Sequence, residues 1–218
     1  MAIKIIIISI CIILSYSKKP GIWLNTLNTF FHESFHAIVA LILGNKVKEI
    51  DFDASTEGSC TSMSKSKLRT VLCSLAGYIG CALISLLFIL CIETQYVNLV
   101  FTVITIFSFI ILLLYIRKTY AMVWTICFAC INLFFILIPT PLYIQNYLLF
   151  TYATIILIEN TKACFAILYL SFFKAKKSGD CSILTKVTKV PAFVWAIIFN
   201  AVNWWVIYRF FVLCFLPK

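Results

Sequence analysis

The chain has 218 residues, 63% of them hydrophobic and only 12% charged, with a formal net charge of +10. A soluble domain of this length cannot hide so much apolar surface, so the bilayer is the expected solvent, and continuous apolar runs point to helices rather than an alternating β-barrel. The Lys and Arg residues sit in short loops between those runs, where they orient a membrane protein; this placement argues against a nucleic-acid partner.

In chain order the apolar segments run over approximately 3–17, 21–43, 68–92, 96–116, 120–138, 146–172 and 191–215. The expected fold is an all-α polytopic membrane protein of about seven transmembrane helices, in one integral membrane domain covering 1–218. The first segment is short, follows Lys4 and ends in Ser15-Tyr16-Ser17. A cleaved signal peptide, which would leave six helices, is therefore an alternative. With the N-terminus on one side, that side receives 13 Lys and Arg residues and the other receives four, Lys18, Lys19, Arg209 and Lys218. The basic side, with the loops 45–69 and 173–190, is expected to be cytoplasmic.

The 45–69 loop is the longest polar insertion. VKEIDF alternates apolar and polar residues, DASTEG supplies turn residues, and GSCTSM can return as a second strand, so a small cytoplasmic β-hairpin is expected there. Most of the ten cysteines lie inside apolar runs and read as small packing residues. Cys127 and Cys130 form a C-x-x-C one helical turn apart with no second pair, a weak metal or redox signal.

The second segment contains FFHESFHAIVA, residues 30–40, with both histidines of the chain. His32, Glu33 and His36 spell H-E-x-x-H. At i and i+4 on a helix the two imidazoles share a face and can reach one metal ion, with Glu33 beside them as general base. Zinc suits the set, because two His and one carboxylate leave a fourth position open. Ionisable groups inside an apolar span are expensive and usually functional. Di-iron chemistry needs more histidines, and a bis-histidine haem needs ligands on opposite faces.

HESFHAIVALILGNKVKEI resembles the motif helix of the site-2 protease superfamily of intramembrane zinc metallopeptidases. In a compact branch of that group the helix runs into a Gly and a Val-x-x-Ile strand, matched by Gly44, Val47 and Ile50. LAGYIGCALISLL at 75–87 is similar to the branch's A-G-Y-x-G helix, and SGDCSILTKVTKVPAFVWAII at 178–198 to its S-D-A segment followed by Pro and a Trp-containing helix. Gly179 stands where the branch usually has Ser, and Cys181 where it usually has Ala. Better-known site-2 proteases take their third ligand from N-x-x-P-x-P-x-x-L-D-G. The stretch IPTPLYIQN at 138–146 has two prolines but no Asp, so Pro139 and Pro141 read as a turn.

Two acids are candidates for the third ligand. Asp180 lies in the segment that carries the resemblance, and reads otherwise as a loop acid or helix cap. Glu159 lies within the sixth apolar run, and reads otherwise as an ion pair with Lys162 three residues on. His36 is eight residues before Gly44, about 12 Å from the cytoplasmic end of its helix, whereas Glu159 is about 20 Å in. Asp180 would be at the surface unless its loop dips inward. Gly77 and Gly80 are expected to let the third segment pack closely on the motif helix, and Asn132, Asn200 and Asn203 to bridge helices.

The resemblance implies a peptidase that cleaves membrane-spanning protein substrates, with Zn2+ on His32, His36 and Asp180 (or Glu159) and Glu33 as base. The hairpin offers a strand edge for an extended substrate. The alternative is a catalytically inactive membrane scaffold or chaperone that keeps the fold and escorts other membrane helices.

Overall fold

A computed structural model describes residues 1–17, 20–55, 57–64 and 66–216. In chain order it contains α1 (Ala2–Ser15), α2 (Pro20–Ile42), β1 (Lys46–Phe52), β2 (Gly58–Met63), α3 (Lys67–Glu93), α4 (Val97–Leu114), α5 (Thr119–Leu137), α6 (Leu142–Phe173), a 3-10 turn (Ala175–Lys177), α7 (Asp180–Thr188) and α8 (Ala192–Phe215). Among the described residues, five helices, α3, α4, α5, α6 and α8, are long and apolar enough to cross a membrane. They leave large apolar side chains such as Leu83, Leu113, Ile131, Phe165 and Trp204 exposed on their outer faces, as lipid contact requires.

Two of the seven expected segments fall outside that set. The α1 helix has 14 residues, about 21 Å at 1.5 Å per residue, short of a ~30 Å hydrocarbon core. The α2 helix is long enough at 23 residues but carries Asn25, Asn28, His32, Glu33 and His36. The helix that holds the motif thus carries polar residues along its length.

The motif helix ends where its sequence says it should. Gly44 adopts φ 71°, its N–H bonds Leu41 O at 2.9 Å, and the Asn45 N–H bonds Ala40 O at 2.9 Å. This is a Schellman stop, which favours Gly because a Cβ is strained in the left-handed region. The chain then enters an antiparallel hairpin with Ile50 opposite Cys60 and Phe52 opposite Gly58. The outer edge of β1 is occupied at Ile50, whose N–H donates to Tyr115 O at 3.1 Å. Among the described residues β2 pairs with β1 alone.

Packing divides into two apolar clusters. The larger joins α2 to α3, α4, α5 and α6 through Phe30, Phe31, Phe88, Phe101, Trp124, Phe128 and Leu149. Phe30 contacts Phe52 at 6.2 Å and Trp124 at 5.6 Å between ring centroids, pinning the hairpin to the motif helix. The smaller cluster joins α6, α7 and α8 through Cys164, Cys181, Leu184, Ala196 and Phe199. Amides tie the same region together. Asn160 donates to Tyr78 O on α3 at 3.2 Å and to Asn203 on α8 at 2.9 Å, while Asn200 reaches Cys164 O on α6 at 2.9 Å. Asn132 stays within its own helix, donating to Phe128 O at 2.6 Å.

Candidate metal centre

Three elements converge on the motif. On α2, Phe30, Phe31 and Ala37 are buried in the larger apolar cluster, and Asn28, His32 and His36, at successive i+4 positions, share another face. The α3 helix comes against that face because it is glycine there. A Cβ at Gly77 would lie 2.5 Å from His32 Nε2 and 2.7 Å from His36 Nε2, and one at Gly80 would lie 2.5 Å from the Phe35 ring. Gly77 therefore keeps open the space into which both Nε2 atoms point, a local use of small residues that goes beyond helix packing.

The third element is α7. Its apolar face, Cys181 and Leu184, is fully buried in the smaller cluster, which draws the loop after α6 inward. Gly179 precedes the helix at φ 51°, a backbone turn that L side chains rarely adopt. Asp180 is consequently not a surface acid. Its carboxylate Oδ2 lies 3.4 Å from His32 Nε2 and 3.3 Å from His36 Nε2, with the side chain 13% exposed. Burial alone would raise the Asp180 carboxyl, but the His36 charge and the hydrogen bonds from both rings hold it well below the usual carboxylate range.

His36 Nδ1 is 2.7 Å from the Cys73 carbonyl oxygen, and the two Nε2 atoms are 3.0 Å apart. When the ring is neutral, donation from Nδ1 to this carbonyl fixes the tautomer and leaves Nε2 free to ligate. His32 is held edge-on by Tyr78, with centroids 4.5 Å apart.

The donor set fits a tetrahedral ion. With metal–ligand distances of about 2.0–2.1 Å, two ligands of a tetrahedron are separated by roughly 3.3 Å. The three separations are 3.0, 3.3 and 3.4 Å. Two imidazoles and a carboxylate are zinc ligands by type, and Gly77 leaves the room that an ion needs. Among the described residues, His32, His36 and Asp180 are the group whose donor atoms lie within 4.8 Å of one another.

Glu33 is buried beside this set. Gly58, the first residue of β2, sits over it; a Cβ there would be 2.6 Å from Glu33 Oε1 and 2.6 Å from Thr29 Cγ2. The site opens into a cavity of about 730 Å3 bordered by Asn28, Gly58, Cys60, Ser62, Tyr78 and Lys177. Glu159 is elsewhere, engaged by Lys162 Nζ at 2.8 and 3.1 Å and by the Ser15 hydroxyl.

Sequence reasoning missed the Cys73 carbonyl, Gly58 and Asn28. The carbonyl belongs to the backbone and has no side-chain signature. Asn28 did have one, since it lies four residues before His32 on the same helical face.

A sequence profile of the family described as Peptidase M50B-like matches residues 3–210 of the chain. No curated protein and no solved structure matches it.

Proposed function

Because the chain belongs to the Peptidase M50B-like family, within the site-2 protease group of membrane-embedded peptidases, we propose that it is an active intramembrane zinc metallopeptidase. The observation that carries this reading is the convergence of His32, His36 and Asp180 beside the buried Glu33, at one end of a cavity. His32 Nε2, His36 Nε2 and Asp180 Oδ2 would hold zinc. When bound, zinc supplies a Lewis acid for the scissile carbonyl and lowers the pKa of water toward neutrality.

Glu33 accepts the proton of the attacking water and returns it to the leaving amine, so that the amide C–N bond breaks and a carboxylate and an amine are released. Its carboxylate lies on the cavity border beneath Gly58, with only 6% of the residue surface exposed. The Cys73 carbonyl orients His36 throughout. The substrates are membrane-spanning proteins, whose segment must unwind before its backbone is open to attack. The strand edge suited to receive it is that of β2, since β2 carries Gly58, Ser59, Cys60 and Ser62 on the cavity border and β1 is occupied by Tyr115. The whole chain acts as one membrane domain, with the hairpin and the 173–190 loop cytoplasmic, a reading supported by the Lys and Arg distribution.

The test is Glu33→Gln in protein reconstituted with a panel of single-span membrane proteins. The expected variant retains about one zinc per chain and loses cleavage that the wild type performs. Wild-type protein that binds zinc but cleaves none of the panel, or a Glu33→Gln variant as active as wild type, overturns the catalytic reading and favours the scaffold.

A further inference from the structure

Asn28 lies on the metal-site face of α2, one turn before His32 and hence about 6 Å further from the cytoplasmic end of the helix. It borders the cavity, its residue surface is only 8% exposed, and its carboxamide oxygen has no hydrogen-bond partner. An unpaired buried amide is costly, and such an atom in a native fold calls for a reason. The Asn203 carboxamide shows the usual solution, since its oxygen accepts from Asn160 Nδ2 and its nitrogen donates to the Thr161 hydroxyl, each at 2.9 Å.

The position supplies the reason. A substrate strand laid along β2 has main-chain partners only as far as Gly58, where the strand begins against Thr29 and Glu33. Beyond that point an unwound segment would carry bare N–H and C=O groups into an apolar surrounding, where each unsatisfied group costs several kcal/mol. Asn28 and Thr29 are both polar there, and the Asn28 carboxamide offers both a donor and an acceptor to a peptide unit. We propose that Asn28 is a substrate-binding residue whose carboxamide pairs with the main chain of the segment being cleaved, on the side of the metal centre away from the cytoplasm. The assignment rests on the peptidase reading above and goes beyond it by fixing where the substrate backbone is held.

Two metal-chelating probes separate the two ideas. Acetohydroxamate contacts the metal alone, whereas a hydroxamate bearing an apolar tetrapeptide also places a main chain in the cavity. Affinities for zinc-loaded full-length protein are to be measured for wild type, Asn28→Ala and the near-isosteric Asn28→Leu, with zinc content and melting temperature recorded for each. Both variants should keep zinc and bind acetohydroxamate unchanged, with Asn28→Leu melting no lower than wild type, while the peptide hydroxamate weakens about tenfold, the loss expected for one or two hydrogen bonds. Equal peptide-probe affinity in wild type and either folded variant overturns the assignment and leaves the metal centre standing. Parallel loss of both probes also overturns it, by making Asn28 a support of the centre. Wild-type protein that binds neither probe overturns the peptidase reading and the assignment with it.

Discussion

Two clusters of ionisable side chains among the described residues interrupt the apolar bundle, and they are built in opposite ways. Around Glu159 every charge is met from within the protein. Lys162 Nζ contacts both carboxylate oxygens and also reaches the Ser15 carbonyl at 3.0 Å and the Ser15 hydroxyl at 2.9 Å. Lys162 further lies 4.9 Å from the Tyr16 ring centroid, and the Asn25 amide, turned over, donates to Glu159 at 3.0 Å. Around His32, His36 and Asp180 the lone pairs converge on one another and on a cavity. Closure on protein partners marks a structural tie, here joining α1 and α2 to α6. Convergence on shared space marks a site for something else. Both contain a buried acid, and the acid alone does not distinguish them.

That contrast can be broken most severely at Gly77. Replacing it with alanine puts a methyl into the space between the two Nε2 atoms, with backbone on one side and both rings on the other. Gly77→Ala is expected to lose zinc and all cleavage while the chain still folds; equilibrium dialysis against zinc, with circular dichroism as the fold control, checks it. Retained zinc at wild-type affinity would mean that this space is not the metal's.

The next largest effect belongs to the other cluster. Glu159→Ala leaves Lys162 with the Ser15 oxygens and the Tyr16 ring but no counter-charge; breaking a buried pair costs about 3–5 kcal/mol, here reduced to about 2–3 kcal/mol because Lys162 keeps those partners and its side chain is 31% exposed. Thermal unfolding in detergent should show the loss, with zinc content unchanged. Deleting residues 1–17 should mimic it in part, since Ser15 and Tyr16 leave while the ion pair stays. A deletion variant as stable as the full chain would make α1 dispensable.

A smaller effect is expected where the hairpin meets Glu33. Gly58→Ala crowds Glu33 Oε1 and Thr29 Cγ2, and overpacking of this kind costs about 1–3 kcal/mol. The expected result is a kcat reduced about tenfold, corresponding to ~1.4 kcal/mol in the barrier, with zinc binding intact. Initial rates on a substrate cleaved by the wild type measure it, and an unchanged kcat would detach the hairpin from catalysis.

Much of this was legible in the sequence. Continuous apolar runs locate the helices to within a few residues, except that α6 starts at Leu142 rather than 146 and α7 is signalled only by the alternative reading of Asp180 as a helix cap. Its nine residues are too few for a periodic signal, and its burial depends on Cys181 and Leu184 finding partners on α6 and α8. The hairpin followed from period-two alternation and a turn cluster, and the site pair from i, i+4 spacing. Choosing between Asp180 and Glu159 from depth along the chain could not succeed. Depth treats α6 as a ruler and the following loop as a surface, whereas tertiary packing carries that loop inward. Asn25 and Ser15, which meet Glu159, come from distant segments whose pairing no local pattern encodes.

The most direct test of the central claim is zinc per chain in detergent-purified wild type, His36→Ala, Asp180→Ala and Glu159→Ala. About one zinc is expected in wild type and in Glu159→Ala, and none in His36→Ala or Asp180→Ala. Zinc retained by Asp180→Ala and lost from Glu159→Ala would reverse the roles assigned to the two clusters, and a well-folded wild type that takes up no added zinc would contradict the metal centre itself.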